Sequence, residues 1–552
     1  MASAFTTGPA ARRTLLAVAG IAIGSLTLAA CASGGGDNSS SGGAGGTITI
    51  GTTDKVTVLD PAGSYDNGSF AVMNQVFPFL MNTPYGSPDV EPDIAESAEF
   101  TSPTEYTVTL KPDLTFVNGH DLTSSDVKFT FDRQLTILEN GADQGNGPAS
   151  LLANLDSVAA PDDLTVVFTL KSENDQTFPQ ILSSPAGPIV DEEVFSPDSL
   201  TSDQDIVDAH AFAGQYDIAS YDFNNLISYK RFDGYKGVLG AAENETVNVK
   251  YYAESSNLKL DVQEGNIDVA FRSLSATDVE DLSSNDAVKV WDGPGGEIRY
   301  IVFNFDTQPY GNTTSEADPT KALAVRQAVA DLIDRDAIAD QIYKGTYAPL
   351  YSYVPAGLTG AIEPLKELYG DGAGAPDADK AAATLSDAGV TTPVTLNLQY
   401  SNDHYGPSSA DEYALIKDQL ESTGLFTVNL QTTEWVQYSK DRTSDVYPEY
   451  QLGWFPDYSD ADNYLSPFFI KDNFLGNHFD DAEVQDLIAQ QVSTTDPAAR
   501  QAIIEDIQRS VAEQLSTVPY LQGSQVAVSG TDIEGLTLDA SFKFRYAPIT
   551  KG

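Results

Sequence analysis

The residue types most suited to ligand chemistry are concentrated between Gly453 and Tyr464. The eleven residues from Trp454 to Tyr464 contain three carboxylates and four aromatic side chains. A carboxylate enclosed by aromatic walls holds an ammonium group by a charge-assisted hydrogen bond, and the aromatic faces add cation–π attraction and apolar contact. The pattern predicts a site for a ligand with a positively charged amine. An acidic surface turn beside aromatic core residues is the alternative explanation.

Two other uses of these carboxylates fit the sequence less well. Asp457, Asp460 and Asp462 lack the ligand spacing, the central glycine and the closing glutamate of a calcium loop. A glycosidase needs a second carboxylate about 5–9 Å from the first, and no second acid is marked elsewhere in the chain. We expect Asp460 and Asp462 to stabilise the turn, as aspartates commonly do.

Motifs for cofactors and catalysis are sparse. No HExxH, GxSxG or GxxxxGK[ST] pattern is present. The histidines are far apart in the sequence and show no metal-ligand spacing; they are His120, His210, His404 and His478. We therefore expect no cofactor, no resident metal and no enzymatic activity.

The N-terminus has the features of an export signal. Arg12 and Arg13 precede the apolar run Leu15–Ala30, which as a helix would reach only ~24 Å, too short for a bilayer core of about 30 Å. A basic start followed by a short apolar segment is typical of a signal peptide, here residues 1–30. The sequence Leu28-Ala29-Ala30-Cys31 resembles the lipobox of bacterial lipoproteins, which implies cleavage before Cys31 and attachment of lipid to its thiol.

The next sixteen residues, 31–46, read CASGGGDNSSSGGAGG. Gly/Ser-rich segments of this length behave as flexible coils spanning about 20–24 Å. We expect this tether to hold an exported body at the outer face of the cell membrane, or on its periplasmic side. Cys31 is the single cysteine of the chain, so a disulfide within one molecule is excluded.

Length and charge limit the class of protein. A chain of 552 residues exceeds the roughly 250–300 that one hydrophobic core supports, which predicts two or three packed units. The net charge is -50, so the surface repels nucleic acid, and we expect no nucleic-acid partner. Strand-like and helix-like stretches alternate, which favours α/β units. The predicted strands include 105–110, 164–170, 247–252, 299–304, 394–400 and 426–431, and the predicted helices include 69–82, 320–334, 376–388, 410–422 and 496–515.

A series of short motifs between residues 59 and 463 resembles one family in order and spacing. This family is the peptide-type solute-binding proteins of bacterial ABC importers, family 5 of the extracellular solute-binding proteins. The matching segments are Leu59-Asp60-Pro61, residues 91–97, residues 116–123 with Asp126-Val127, residues 214–216, residues 231–237, residues 264–270, Asn304, residues 325–328 with 333–335, and Gly453-Trp454 with residues 457–463.

The resemblance implies a periplasmic-binding-protein-like α/β fold of two lobes joined by a hinge. The first lobe would comprise residues 47–300 and 521–552, with 63–184 as an inserted subdomain, and the second lobe residues 301–520. The chain crossings are expected near residues 299–304 and 519–525. Ligand would be enclosed between the lobes.

The resemblance also implies ligand contacts. In peptide-binding members an aspartate at the position of Asp457 holds the α-amino group of the ligand, with Trp454 and Tyr458 beside it. A strand end carrying Tyr400 and Asn402 is a second candidate. Dipeptide-selective relatives have an arginine where this chain has Tyr400, which puts strict dipeptide selection in doubt.

A third candidate contact is the first-lobe loop with Tyr65, Asn67 and Gly68, where the glycine would let backbone approach a peptide. We therefore expect a monomeric lipoprotein that captures an oligopeptide and delivers it to an ABC permease. A sugar or a nickel-type metal chelate as the ligand and an extracellular hydrolase remain as alternatives.

Overall fold

The computed structural model describes residues 46–272, 274–402, 404–406 and 408–552. The predicted signal peptide, Cys31 and the tether up to residue 45 lie outside the described residues. Within the described ranges, no helix combines the length and the apolar character needed to cross a membrane.

Most strands belong to one large mixed sheet. In chain order the strands are β1 (Thr47–Thr52), β2 (Met81–Asn82), β3 (Glu91–Pro92), β4 (Ala95–Ser102), β5 (Glu105–Leu110), β6 (Leu155–Asp162), β7 (Thr165–Leu170), β8 (Tyr216–Asp222), β9 (Leu226–Arg231), β10 (Thr246–Tyr251), β11 (Val269–Phe271), β12 (Val288–Phe303), β13 (Tyr347–Pro349), β14 (Val394–Leu396), β15 (Leu398–Ser401), β16 (Phe426–Val428), β17 (Gln431–Thr433), β18 (Glu449–Trp454), β19 (Thr517–Gly530), β20 (Ile533–Glu534) and β21 (Thr550–Lys551). The large sheet has the order β17-β15-β18-β12-β19-β11-β1-β10-β9-β8, and β13 also pairs with β19. A separate antiparallel sheet has the order β4-β5-β7-β6.

Helices cover the sheets. In chain order they are α1 (Asn67–Val76), α2 (Ser124–Asn140), α3 (Phe178–Ile181), α4 (Asp203–Asp208), α5 (Ser255–Glu264), α6 (Ala276–Ser283), α7 (Pro319–Leu332), α8 (Arg335–Gln341), α9 (Pro364–Leu368), α10 (Ala378–Asp387), α11 (Ser409–Glu421), α12 (Trp435–Arg442), α13 (Ser466–Phe469), α14 (Ala482–Ser493) and α15 (Pro497–Gln514). Short 3-10 turns lie at Pro61–Gly63, Ala149–Leu152 and Ala461–Tyr464. The predicted α/β character is confirmed.

Two long antiparallel strands, β12 and β19, connect the two lobes. The first half of β12 pairs with the end of β19, up to Pro294 opposite Ser524, and the second half pairs from Ile298 opposite Gln522 onward. The register shifts between these two stretches. There the backbones approach closely, because a Cβ on Gly295 would lie 2.0 Å from the carbonyl oxygen of Gly523. Glycine is therefore required at the point where β12 passes from one lobe to the other.

The buried side chains form separate cores on the two sides of this shift. One core draws its residues from Ile298 to Leu521. The first lobe has a core under β1 and β10 that includes residues of the C-terminal segment up to Ile549, and a third core fills the space between the four-stranded sheet and α2. The residue boundaries expected for the lobes and for the inserted subdomain stay predictions. The shift in β12 lies a few residues before the expected division at residue 300.

Several predicted elements differ in their bounds. The helix predicted over 69–82 is α1, which ends at Val76 because Pro78 has no N–H and forces Phe77 out of the helical region. The strand predicted over 299–304 is the end of β12, which begins at Val288. The strand continues through the glycine-rich residues 293–297 with a change of register.

A buried ion pair attaches the early Leu-Asp-Pro motif to α2. The Arg133 guanidinium donates to both carboxylate oxygens of Asp60, at 2.9 and 2.5 Å. Asp60 also accepts from the backbone N–H of Thr201 at 2.7 Å and of Ala62 at 3.0 Å. Both side chains are almost completely buried, so the pair is a fixed structural contact within the first lobe.

We expect Asp60→Ala to lower the free energy of unfolding by about 3–5 kcal/mol, because it leaves a buried guanidinium without its carboxylate. The control is Asp132→Ala on α2, which removes an exposed pair with Lys128 and should cost below about 0.5 kcal/mol. Urea denaturation of both variants measures the difference. Equal losses would show that the Asp60–Arg133 pair does not stabilise the lobe.

Candidate functional site

A cavity of about 560 Å³ lies between the lobes, beside the loop that follows β18. Its volume is within the range of about 300–1,000 Å³ typical of small-ligand sites. First-lobe residues on its wall are Tyr65, Asp66, Asn67, Phe70, Ser150, Leu151 and Pro185. Second-lobe residues are His404, Tyr405, Trp435, residues 452–457, Pro467 and Phe474. We call this space the outer cavity.

Asp457 is held in place by an asparagine on the 3-10 turn that follows it. Asn463 Nδ2 donates to Asp457 Oδ2 at 3.0 Å, and the backbone N–H of Asp457 donates to Asn463 Oδ1 at 2.9 Å. The indole N–H of Trp454 donates to the same Asn463 oxygen at 2.9 Å. One amide therefore fixes both the carboxylate and the aromatic ring beside it.

The turn is itself stabilised by the two other aspartates of the cluster. Asp460 caps the turn by accepting from the N–H of Asp462 at 2.8 Å, and it receives two 2.7 Å hydrogen bonds from Arg500. Asp462 accepts from Ser466 and from Gln491. The prediction that Asp460 and Asp462 stabilise the turn is confirmed.

The electrostatics of Asp457 favour a cationic ligand. Burial raises the pKa of its carboxyl group, while hydrogen bonds from Tyr65 and Asn463 oppose the rise. Among the described residues, no lysine or arginine nitrogen lies within 4 Å of this carboxylate. A partly buried carboxylate without a cation loses part of its hydration, so a ligand ammonium would supply the missing charge.

Tyr65 contacts Asp457 from the opposite lobe. Its hydroxyl donates to Asp457 Oδ1. Burial and the neighbouring carboxylate raise the pKa of the Tyr65 phenol, so it remains a donor. The next residue, Asp66, caps α1 by accepting from the backbone N–H of Ser69 at 2.9 Å, and this fixes the loop that carries Tyr65.

Aromatic side chains form the far wall of the outer cavity. The ring of Trp435 stacks on His404 at 3.7 Å between centroids. Phe474 meets Trp454 edge to face at 5.4 Å, and 47% of its surface is exposed. This wall offers apolar and π contacts, and no lysine or arginine borders the outer cavity among the residues that the structure describes.

A smaller space of about 160 Å³ lies on the other side of Asp457. We call it the inner cavity. It shares Asn67, Phe70 and residues 455–457 with the outer cavity. The rest of its wall comes from the register shift of β12 and β19, from the C-terminal residues 541–544, and from Asp54, Ala71, Asn74, Phe271, Arg272, Tyr458 and Ser459.

The structure brings together part of the predicted site. Asp457, Trp454, Tyr65 and Asn67 border the outer cavity. Tyr458 borders the inner cavity, and its hydroxyl donates to Asp462 at 3.3 Å. Ligand contact by all of these residues stays a prediction.

Three predicted residues lie elsewhere, since none borders either cavity. Tyr400 stacks on Tyr413 at 5.4 Å between ring centroids, and Asn402 is exposed. Gly68 packs against the main chain, because a Cβ there would lie 1.9 Å from the carbonyl oxygen of Lys55. This close backbone contact explains the glycine without a ligand.

Sequence reasoning missed much of the aromatic wall. His404 and Tyr405 belong to the segment after β15 that was singled out for Tyr400 and Asn402, but they lie a few residues further along. Trp435 and Phe474 come from separate parts of the chain and match no motif. Their shared apolar, aromatic character was visible, but their proximity depends on the packing of the second lobe.

The chain matches a family model described as bacterial extracellular solute-binding proteins, family 5 Middle, over residues 89–476. The probable D,D-dipeptide-binding periplasmic protein DdpA of Escherichia coli K12 is 24% identical over 510 residues, which are 89% of this chain and 91% of that protein.

Solved structures share the fold. The ABC transporter substrate-binding protein CtaP of Listeria monocytogenes superposes with a TM-score of 0.75 and 22% identity, covering 92% of this chain and 99% of the other. The periplasmic binding protein DppA of Helicobacter pylori, in complex with the peptide STSA, gives 0.70 and 18%, covering 92% and 98%. The two-lobed fold predicted from the sequence is confirmed.

Tyr65→Phe tests the contact between the lobes. The variant keeps the ring but removes the hydrogen bond to Asp457. We expect this bond to stabilise the contact between the lobes by only about 1–2 kcal/mol, because 43% of the Tyr65 surface is exposed to water. The ligand-free variant should populate more open arrangements, seen as a larger radius of gyration in small-angle scattering.

The matched control is Tyr221→Phe. Tyr221 also donates to an aspartate, Asp203, at 2.7 Å, but both residues lie in the first lobe. Its radius of gyration should equal that of the wild type. A Tyr65→Phe radius equal to the wild-type value would mean that this hydrogen bond does not hold the lobes together.

Proposed function

Because the chain belongs to the family 5 bacterial extracellular solute-binding proteins of ABC importers, we propose that it captures an oligopeptide between its lobes and delivers it to an ABC permease. The ligand assignment rests on the environment of Asp457. Its carboxylate is partly buried, borders both cavities and has no cationic partner among the described side chains. The free amino terminus of a peptide would provide that partner.

Members of this family are binding proteins. The relatives and the solved structures that resemble this chain are named as dipeptide-binding or substrate-binding proteins of transporters. The chain is therefore a solute-binding protein rather than an enzyme, as its sequence predicted.

The walls of the outer cavity support a peptide whose side chains vary. Aromatic and aliphatic groups such as Trp435, Phe474 and Leu151 offer contacts that depend on shape more than on a particular polar pattern. No lysine or arginine borders the outer cavity among the described residues. A peptide anchored by its amine at Asp457 would thus extend along an apolar wall without a charged anchor at its far end.

We also propose that the protein is exported and attached by lipid to the outer face of the membrane. The support is the sequence Leu28-Ala29-Ala30-Cys31, which follows a basic start and a short apolar segment. A Gly/Ser tether of residues 31–46 would allow the binding body to reach its permease while remaining attached.

Asp457→Ala tests the amine assignment. If Asp457 pairs with a ligand ammonium in a closed, dry site, its removal should cost ~3–5 kcal/mol, which is a loss of at least about a hundredfold in affinity. Acetylating the peptide amino terminus should weaken binding to the wild type by a similar factor. It should have little further effect on the variant, because the interaction is already absent.

Calorimetry on the four combinations of protein and peptide gives the coupling energy directly. Asp486→Asn is the control, since it removes one exposed negative charge on α14 and should bind both peptides as the wild type does. Additive losses from the Asp457 change and from acetylation would mean that Asp457 does not hold the amine.

Cys31→Ser tests the anchor. Without the thiol there is no site for lipid, so the variant should accumulate as an uncleaved precursor or as protein released from the membrane. Detergent phase partitioning and the apparent mass on gels distinguish these forms from the wild type. A variant of mature length that still partitions with the membrane would contradict lipid attachment at Cys31.

A further inference from the structure

The inner cavity is bordered by acidic and basic side chains from both lobes. In the part of the chain that the structure describes, these are Asp54, Arg272, Glu297, Asp457 and Lys543. Two of them, Glu297 and Lys543, already make hydrogen bonds within the protein. Glu297 accepts from Arg299 at 3.0 Å and from the Tyr347 hydroxyl at 2.6 Å.

Lys543 is also engaged. It is 8% exposed, and its ammonium group donates to the carbonyl oxygen of Ser183 at 2.8 Å and to the side-chain oxygen of Asn82 at 3.5 Å. These contacts direct its charge toward the protein interior. Lys543 is therefore not the group that would receive a ligand in this cavity.

Arg272 is the basic group that remains available. Its guanidinium lies over the Phe455 ring at 5.7 Å, so it reaches from the first lobe to a residue two positions before Asp457. Among the described residues, its side chain makes no hydrogen bond, and its nearest carboxylate is Asp54 at 3.9 Å. That distance is too long for a hydrogen bond, and both side chains are about one-third exposed, so the pair is weak.

The backbone fixes Arg272 in place. It directly follows β11, its N–H donates to the carbonyl oxygen of Val526 at 3.1 Å, and its φ is 54°. A residue with a side chain adopts this left-handed conformation at some energetic disadvantage. Here it turns the chain at the strand end beside the inner cavity.

We propose that Arg272 and Asp457 together form a subsite for a zwitterionic group of the ligand, in which Asp457 holds the ammonium and Arg272 holds a carboxylate. A guanidinium matches a carboxylate in two parallel hydrogen bonds. The cavity has about 160 Å³ of space, so both charges belong to one residue or to adjacent atoms of the ligand. The preferred peptide therefore has an acidic first residue.

This inference rests on the proposed peptide function and adds specificity to it. The charges of the ligand then determine which lobes it contacts, because Arg272 belongs to the first lobe and Asp457 to the second. A ligand with both charges contacts both lobes at once. A ligand with only the amine lacks the contact with Arg272.

The test compares the tripeptides Asp-Ala-Phe and Asn-Ala-Phe, which differ only in the charge of the first side chain. We expect calorimetry to show that the wild type binds Asp-Ala-Phe at least about tenfold more tightly. Arg272→Gln should abolish this preference, so that it binds the two peptides with equal affinity. Asp54→Asn should increase the preference, because it removes the carboxylate that competes for Arg272.

Arg509→Gln is the matched control, since it removes the same charge from an exposed position on α15 and should retain the preference. Equal affinity of the wild type for the two peptides, or an unchanged preference in Arg272→Gln, would overturn the anion subsite and leave the amine assignment standing. Failure of the wild type to bind any peptide with a free amino terminus would overturn the peptide function, and the subsite with it. Circular dichroism and melting curves of each variant establish that it is folded.

Discussion

The pairing of β12 with β19 is the constraint on which the binding site depends. Both strands run through both lobes, so the large sheet is continuous from one lobe to the other. The strands beside them end near the register shift. In the second lobe, β18 pairs with β12 as far as Trp454, and Asp457 lies three residues later. In the first lobe, β11 pairs with β19 as far as Phe271, and Arg272 is the next residue. Two opposite charges, Asp457 and Arg272, therefore lie near this shift, which we propose as the hinge.

The total charge of the protein has little influence on this arrangement. A net charge of -50 acts mainly on solubility and on long-range encounter, and it is screened beyond about 8–10 Å at physiological salt. At the site, the decisive factor is the partial burial of Asp457 without a lysine or arginine paired to it in the part of the chain that the structure describes. Tyr65 and Asn463 supply hydrogen bonds that replace part of its hydration, but neither supplies positive charge. A cation would stabilise this carboxylate, which supports the proposal of an amine ligand.

The fold was more predictable from the sequence than the site. Alternating apolar patterns are local, so helices such as α7 and α15 and strands such as β5 were placed to within one or two residues. Motif order identified the family and singled out Asp457, whose contact with a ligand stays a prediction. The contact of the Tyr65 hydroxyl with Asp457 and the position of Arg272 over Phe455 could not be predicted, because they join residues far apart in the sequence and in different lobes. The aromatic wall around Trp435 could not be predicted either, because it depends on how the second lobe packs. Tyr400 is a residue that the sequence singled out but that borders neither cavity. It lies at a strand end, as predicted, but its ring stacks on Tyr413.

The contact between Tyr65 and Asp457 does not exclude a ligand from the same carboxylate. Tyr65 donates to Oδ1 and Asn463 to Oδ2, whereas two carboxylate oxygens together accept about four hydrogen bonds. An ammonium group can therefore bind without displacing either donor. The Tyr65 hydroxyl is present with or without ligand, so it favours closure in both states, and only contacts that the ligand itself makes with both lobes can change the balance between open and closed forms. Selectivity for ligands that close the lobes must then come from groups that meet the ligand from each side, such as Asp457 in one lobe and the side chains of the first lobe that face it across the inner cavity.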